Sequence, residues 1–218
     1  MFPSLLVIDN FFPNPDKIVE YAKTVTFYPN NGRYPGMRSD GLHVINGDLE
    51  NYIGKRLVRL FYEIDTQFSY QMTMGFHKIS PMHKDQYHPM NRGWVHTDSN
   101  VGFGGVIYLN PNPEPDTGTS VFRCTKGYYY RDDATDDVMC RFYRGDEITE
   151  EEYEEGFTKN NSNFVETIPV ENVYNRMVFF NCDTHHAAQT YGKNQDRLTL
   201  DFFGMVTTYD SHPPMFRS

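Results

Sequence analysis

The sequence has few cysteines and no long apolar run. Cys124, Cys140 and Cys182 are the three cysteines among 218 residues, and they form no Cys-x-x-Cys pair. Reduced thiols in a cytoplasm are the simplest interpretation. No stretch approaches the roughly 18 apolar residues of a membrane span. The start, MFPSLLVIDN, lacks the basic region of a signal peptide. We therefore expect a cytoplasmic protein.

Positive charge is also scarce. Lys and Arg number 20 against 29 Asp and Glu, which gives a formal net charge of −9. A nucleic-acid-binding protein usually carries a basic face, and the sequence contains no stripe of Lys and Arg. Nucleic acid and anionic membrane surfaces are therefore not expected as partners. The oligomeric state is not indicated.

Aromatic residues are abundant instead. They make up 16% of the chain, with 17 Phe and 16 Tyr. Large rings fit the half-buried surface of a pleated sheet, so this composition favours a β-rich protein with a substantial core. No linker divides the sequence, and one domain over residues 1–218 is expected.

Two helices are predicted in the N-terminal third. PNPDKIVEYAKTV has Asn14 as a candidate N-cap and Pro15 in the first turn. A second helix is predicted from Asp48 to about Phe68, because apolar residues recur there at helical spacing. Those residues are Tyr52, Ile53, Leu57, Leu60, Phe61 and Ile64.

Short aromatic or β-branched segments predict strands. They are SLLVIDNFF (4–12), SYQMTMGFHKIS (69–80), VGFGGVIYLN (101–110), GTSVFRC (118–124), NFVETIPV (163–170), NRMVFFNC (175–182) and DRLTLDFFGMVTTY (196–209). Strands spaced in this way predict an α+β, mainly β fold. We expect a double-stranded β-helix (jelly roll, cupin-like) with N-terminal helices packed outside the barrel.

Residues 127–163 interrupt this pattern with a long, acidic and tyrosine-rich segment. ITEEEYEEGF within it predicts a short helix, with Thr149 and Glu152 as a capping box. An insertion of this length is typical of a lid or a partner surface, although a solvated loop has the same composition. Its acidity suggests a substrate that carries positive charge.

The segment WVHTDSN (94–100) carries two candidate metal ligands. In an extended chain Trp94, His96 and Asp98 project to one face, so the imidazole and the carboxylate can bind one ion. A polar turn before a strand would have the same residues. Trp94 itself suits either the core or the wall of a substrate pocket.

A third ligand and an anion-binding residue are predicted some ninety residues later. His185 and His186 follow an apolar strand, and neighbouring residues on a strand face opposite ways, so one of them at most can join the site. Alternation then places Arg197, Thr199 and Asp201 on one face. A buried arginine requires an anion, and Arg197 with Thr199 suits a carboxylate.

Two imidazoles and one carboxylate form the facial triad of non-haem iron(II) oxygenases. The sequence resembles the iron(II)/2-oxoglutarate-dependent dioxygenases, in particular their prolyl-4-hydroxylase-like branch. VIYLNPNPEPDTGTSVF (106–122) resembles the segment that follows the first two ligands in that branch. VIDNFFPNPDKIVEYAK (7–23) resembles its opening strand and helix. WVHTDS is similar to a subgroup found in bacteria and their phages.

The resemblance implies a role for each of these residues. His96, Asp98 and His186 would be the Fe(2+) ligands, with His186 preferred over His185. Arg197 would bind the distal carboxylate of 2-oxoglutarate, with Thr199 beside it. The enzyme would use O2 to hydroxylate an unactivated C–H, releasing succinate and CO2.

The resemblance leaves the substrate open. Collagen-type hydroxylases commonly have Lys in place of Arg197 and Tyr in place of Trp94, which argues against peptidyl-proline. Halogenases of the family lack the carboxylate ligand, so Asp98 argues against halogenation. A small molecule, a free amino acid or a peptidyl side chain is expected.

Three interpretations stay open beside this one. A jelly-roll module that has lost catalysis would bind a sugar or a peptide. A zinc hydrolase on a cupin-like barrel would also use two His and one Asp, but it would give Arg197 no purpose. A second metal site is suggested by three histidines in GFHKISPMHKDQYHPM, namely His77, His83 and His88. Their spacing fits no structural zinc pattern. We therefore favour polar groups that face the substrate.

Overall fold

Two antiparallel β-sheets form the centre of the fold. The computed structural model describes residues 4–61, 68–98 and 101–209. Its strands are β1 Leu5–Ile8, β2 Phe27–Pro29, β3 Met37–Ser39, β4 Phe68–Ile79, β5 Phe103–Tyr108, β6 Thr119–Cys124, β7 Phe164–Val170, β8 Met177–Asn181, β9 His185–Ala188 and β10 Arg197–Tyr209. The larger sheet has the order β1-β8-β5-β10-β4-β3-β2, and the smaller has the order β7-β6-β9.

The helices lie outside the sheets. They are α1 Pro15–Ala22, α2 Leu42–Ile45, α3 Gly47–Val58, α4 Asp133–Arg144 and α5 Glu150–Asn161, with a 3₁₀ turn at Pro89–Asn91. The predicted mainly β fold, with antiparallel sheets and few helices, is thereby confirmed. Among the described helices, none is long and apolar enough to cross a membrane.

All seven predicted strands are present, and the differences concern shorter elements. The strands β2 and β3 have three residues each and β9 has four, too few to produce a periodic pattern. The second predicted helix is shorter than expected. It ends at Val58, and Phe68 belongs to β4. Ile64, predicted in that helix, lies outside the described residues.

The strand β10 divides its side chains between a core and a cavity. Leu198, Leu200 and Phe202 face the N-terminal helices, where Leu200 and Phe202 are fully buried. Arg197 and Asp201 alternate with them and face the other way, into the cavity between the sheets. Burial of the apolar set fixes the register of β10, because a slip of one residue would exchange the two faces.

The insertion at 127–163 forms a pair of helices, of which one was predicted. Thr149 accepts a hydrogen bond from the backbone N–H of Glu152 at 3.1 Å and caps α5, as the capping box indicates. The helix α4 begins in the same way, with Asp132 accepting from the N–H of Thr135 at 2.8 Å. Both helices pack on Trp94, which donates its indole N–H to the hydroxyl of Tyr153 at 2.8 Å.

One asparagine organises the turn before the candidate metal ligands. Asn91 is fully buried. Its side-chain oxygen accepts from the backbone N–H groups of Met82 and His83 at 2.7 and 3.0 Å. Its amide donates to the carbonyls of His83 and Asp85 at 2.6 and 2.7 Å. A single side chain therefore satisfies four backbone groups.

We predict that Asn91→Ala lowers the free energy of unfolding by about 3 kcal/mol, because buried polar groups without partners cost about 1–3 kcal/mol each and water replaces some of them. Urea denaturation measures the change. Asn51→Ala, at an exposed position of α3, is the matched control and should change the free energy by less than about 0.5 kcal/mol. Equal losses in the two variants would contradict the role given to Asn91.

Candidate metal centre and co-substrate cavity

A cavity of about 610 Å³ lies between the two sheets. Asp201 and Phe203 of β10 line it from the larger sheet, and Thr119 and His186 line it from the smaller one. The helix α4 contributes Met139 and Tyr143. A space of this size accommodates a small molecule together with a co-substrate.

His96, Asp98 and His186 converge in this cavity. Their ligand atoms all lie within 4.8 Å of one another. Asp98 Oδ1 is 3.8 Å from His96 Nε2, and Asp98 Oδ2 is 3.6 Å from His186 Nε2. The two histidines also form an isolated β-bridge, with N···O distances of 3.1 and 2.9 Å.

The hydrogen bonds of both imidazoles leave Nε2 available to a metal. His96 Nδ1 lies 2.8 Å from the carbonyl of Trp94, and His186 Nδ1 lies 2.9 Å from the carbonyl of Thr184. A carbonyl only accepts, so each Nδ1 carries the proton and donates it. Metal-bound histidines are oriented in this way in most proteins.

One oxygen of the Asp98 carboxylate is also left without a hydrogen bond in the described part of the chain. This atom, Oδ2, is buried. Burial raises the pKa of Asp98, an effect that His96 opposes. Burial, followed by the charge on His96, holds the pKa of His186 well below its usual value. A divalent cation would stabilise an ionised Asp98 and a neutral His186 together, so this donor set fits a metal ion.

A glycine makes room for the carboxylate. A Cβ at Gly104, on β5, would lie 2.6 Å from Asp98 Oδ2 and 3.1 Å from the ring of Phe203. Any larger residue there would displace the carboxylate. The sequence alone gave no reason to single out Gly104 within VGFGGVIYLN.

Among the other predicted histidines, His83 and His88 converge with Glu150 to within 4.8 Å. His83 Nδ1 accepts from the N–H of Asp85 at 3.1 Å, and His88 Nδ1 accepts from the N–H of Met90 at 3.3 Å. In a neutral ring the proton then lies on Nε2, which His88 donates to Glu150 at 2.9 Å. This tautomer offers no lone pair at Nε2, so the cluster is a hydrogen-bonded contact rather than a metal centre. Of the three histidines in that segment, His77 is the one that lines the cavity.

Arg197 lies in the same cavity, 5% exposed. Its Nε donates to the carbonyl of Thr117 at 2.8 Å, and Nη2 lies 3.5 Å from the hydroxyl of Thr119. Its guanidinium is 5.4 Å from the ring centre of Tyr108. No carboxylate of the described chain forms an ion pair with it. A buried cation without a counter-ion is costly, so this position suits an anionic ligand.

Thr199 and His185 are not among the residues that line the cavity. The hydroxyl of Thr199 donates to Asp201 Oδ1 at 2.6 Å, two residues away on the same strand face. The expected role of Thr199 beside the Arg197 guanidinium stays a prediction. The ring of His185 packs against Phe164 at 4.9 Å, on the other side of β9 from His186.

The sequence analysis missed several cavity residues. Arg33, Tyr34 and Arg38 come from the N-terminal region, which gave no functional signal. Tyr191 lines the cavity after β9, and its hydroxyl is 3.2 Å from that of Tyr143. Trp94, expected either in the core or in the wall of a pocket, is in both: it is only 2% exposed, and it lines the cavity.

The acidic side chains of the insertion do not face this cavity. Arg131, Met139 and Tyr143 are its contributions to the lining, whereas Glu150, Glu151 and Glu155 are exposed on α5. The acidity of residues 127–163 therefore does not support a cationic substrate.

Solved structures with a similar fold are iron(II)/2-oxoglutarate oxygenases. HygX from Streptomyces hygroscopicus, with nickel and 2-oxoglutarate bound, overlays with a TM-score of 0.55 at 12% identity, covering 98% of this chain and 84% of that one. The non-haem α-ketoglutarate-dependent epimerase SnoN from nogalamycin biosynthesis gives 0.55 at 9%, covering 96% and 81%. A prolyl-4-hydroxylase of Pseudomonas putida gives 0.48 at 14%, covering 92% and 91%.

Comparison of sequences gives a family without an assigned activity. No protein with curated annotation matches the chain at a significant level. The model of a family of unknown function, DUF6445, matches residues 3–203. The match extends over nearly all of the described residues, and the chain therefore belongs to the DUF6445 family.

Proposed function

We propose that this protein is an iron(II)- and 2-oxoglutarate-dependent dioxygenase that hydroxylates an unactivated C–H bond. The observation that carries the proposal is that one cavity holds two kinds of unsatisfied group. One is a His-Asp-His cluster whose ligand atoms lie within 4.8 Å of one another and whose Nε2 atoms are left available by the Nδ1 hydrogen bonds. The other is a buried arginine with no anionic partner in the described chain.

The fold supports this assignment. HygX, of similar fold, holds nickel and 2-oxoglutarate, and SnoN has been crystallised with Fe3+ and α-ketoglutarate. The predicted jelly roll agrees with the two facing antiparallel sheets and with this similarity. HygX has been crystallised with hygromycin B bound, and SnoN in complex with nogalamycin RO, so both bind small molecules. We propose a small molecule or a peptidyl side chain as the substrate here.

In this proposal the protein holds and shields the reacting groups. His96, Asp98 and His186 would hold iron(II), and the Arg197 guanidinium would bind the distal carboxylate of 2-oxoglutarate, with the hydroxyls of Thr119 and Tyr191 facing the same cavity. Bound iron supplies the redox chemistry that couples the oxidation of 2-oxoglutarate by O2 to that of the substrate. One oxygen atom enters succinate, the other enters the product alcohol, and CO2 is released. The helix α4 lines the cavity through Met139 and Tyr143 and would help to exclude water from it.

Release of succinate tests the reaction. With iron(II), ascorbate, 2-oxoglutarate and O2, the protein should form succinate slowly even without a substrate. Asp98→Ala should remove more than about nine-tenths of this activity. A binding module or a zinc hydrolase would form no succinate with any of these additions.

We predict that Gly104→Ala weakens nickel binding by roughly 10–100-fold, the range found when groups that position metal ligands are changed. The added Cβ displaces the carboxylate of Asp98 and leaves the fold intact, because the displaced atom ends a side chain. Isothermal titration calorimetry measures the affinity. Gly102→Ala is the matched control, since its Cβ would meet its nearest neighbours at 3.4 Å. An unchanged affinity in Gly104→Ala would remove Asp98 from the ligand set.

We predict that Arg197→Ala raises the apparent KM for 2-oxoglutarate by roughly 30-fold or more, because loss of a buried charge-assisted pair costs about 2–5 kcal/mol. Nickel affinity should change little. Thr199→Val is the matched control from the same strand face. Its hydroxyl bonds Asp201, so its KM should rise much less. If Arg197→Ala leaves KM unchanged, the 2-oxoglutarate site lies elsewhere.

A further inference from the structure

The cavity contains more positive charge than the proposed reaction requires. Four arginines line it, Arg33, Arg38, Arg131 and Arg197, against two carboxylates, Asp98 and Asp201. Asp98 belongs to the metal cluster, and Arg197 is assigned to 2-oxoglutarate. The other charged side chains in the cavity are three arginines and Asp201, and the imidazole of His77 lies beside them.

Arg131 is already occupied by contacts within the protein. Its Nε donates to Asn160 at 3.0 Å, Nη1 donates to Asp136 at 3.0 Å, and Nη2 donates to the carbonyl of Val95 at 3.2 Å. These contacts join the insertion to the segment before His96. Arg131 therefore has a structural role, and Arg33 and Arg38 remain.

Asp201 contacts both Arg38 and His77, so its single negative charge does not neutralise both of them. His77 Nδ1 is 2.7 Å from Asp201 Oδ2, and His77 Nε2 is 2.6 Å from the carbonyl of Pro35. Both neighbours are acceptors, so both ring nitrogens must donate, and only the imidazolium does so. Although burial raises it, the pKa of Asp201 lies below its usual value because His77 and then Arg38 stabilise the carboxylate. Asp201 and His77 thus form a neutral buried pair.

The guanidinium of Arg38 is held in place with part of its donor set unused. One Nη2 contact to Asp201 at 3.2 Å is its ion pair. The plane lies over the ring of Tyr34 at 4.0 Å, and the strand partner of Arg38 is His77. Its Nε is buried and has no hydrogen-bond partner in the described part of the chain. The Arg38 side chain is 31% exposed, so the outer edge of its guanidinium, which carries Nη1 and Nη2, is suited to bind an oxyanion in the cavity.

Arg38 also lines the same cavity as His96, Asp98 and His186. An anion bound by Arg38 would therefore lie in the cavity that contains the candidate metal site. Arg33, which is exposed at the rim of the same cavity, adds positive charge along the entrance.

We propose that the prime substrate carries an oxyanion group, a carboxylate or a phosphate, which Arg38 binds in the cavity that contains the candidate metal site. The inference rests on the proposed function and names the substrate class of the same site. It replaces the cationic substrate suggested by the acidic insertion. Substrate charge is recognised by the residues that line the cavity, whatever the net charge of −9 on the whole chain.

The test uses small probes, because the substrate itself is not identified. N-acetylglycine, ethyl phosphate and the neutral N-acetylglycinamide are titrated into protein saturated with nickel and 2-oxoglutarate. Ligand-observed NMR measures binding, and relaxation by the paramagnetic nickel reports proximity to the metal. One oxyanion probe at least should bind tenfold or more tightly than the amide, and the stronger of the two identifies the group.

Arg38→Gln should remove this preference, and Arg38→Lys should keep it with weaker binding, because an ammonium keeps the charge without the planar fork. If Arg38→Gln does not fold, Arg38→Lys still tests the inference, because its oxyanion binding should be weaker than that of the parent. Arg123→Gln, on the exposed part of β6, is the matched control and should bind like the parent. Equal binding of the amide and both oxyanions, or an unchanged preference in Arg38→Gln, would overturn the inference.

Loading is measured first, by calorimetry with nickel and then with 2-oxoglutarate. Failure to load counts against the proposed function, whereas normal loading without an oxyanion preference counts against this inference alone.

Discussion

The candidate site depends on one pair of backbone hydrogen bonds between residues ninety positions apart. His96 and His186 exchange N–H···O contacts at 3.1 and 2.9 Å, which join the segment before β5 to β9. This bridge brings the two imidazoles to one side of the chain crossing, and Asp98, two residues after His96, projects to the same side. The metal cluster is therefore a result of strand pairing and needs no separate loop to assemble it.

The backbone groups that face Nδ1 explain why the two histidine clusters of this protein differ in the nitrogen that carries the proton. His96 and His186 follow carbonyls, of Trp94 and Thr184, that accept from Nδ1 and leave Nε2 unprotonated. His83 and His88 lie in turns where backbone N–H groups point at Nδ1. In both clusters the ligand atoms lie within 4.8 Å of one another. The direction of the neighbouring peptide bonds decides which of them offers lone pairs to a cation.

Much of this arrangement follows from local patterns in the sequence. The alternation along β10 assigned Arg197 and Asp201 to one face and Leu200 and Phe202 to the other, because burial of one face fixes a strand's register. The capping box at Thr149 located α5 for a similarly local reason. Strand alternation fixes only the face on which the Thr199 hydroxyl lies, so it could not indicate that the hydroxyl donates to the carboxylate of Asp201 on that face.

The remaining cavity residues depend on contacts that no local pattern contains. Arg38 acquires its position from the pairing of the short strand β3 with β2 and β4, and from Asp201, 163 residues away. Gly104 matters only because Asp98 folds over it. The acidity of residues 127–163 suggested a cationic substrate because composition does not show which side chains of a helix face the cavity. The composition of the insertion is acidic, but the face that α4 turns toward the cavity is not.

The insertion is joined to the segment before His96 by hydrogen bonds to its backbone. Two asparagines at the end of α5 substitute for a neighbouring strand: Asn160 donates to the carbonyl of Val95 at 3.1 Å, and Asn161 accepts from its N–H at 3.1 Å. Asn161 also donates to the carbonyl of Gly93 at 3.1 Å. Any movement of α5 as a rigid body would break these bonds and expose backbone groups next to His96, at a cost of about 1–3 kcal/mol for each group left without a partner. The helix pair is therefore tied to the segment that carries His96, and a change in the position of α5 would be transmitted to that candidate ligand.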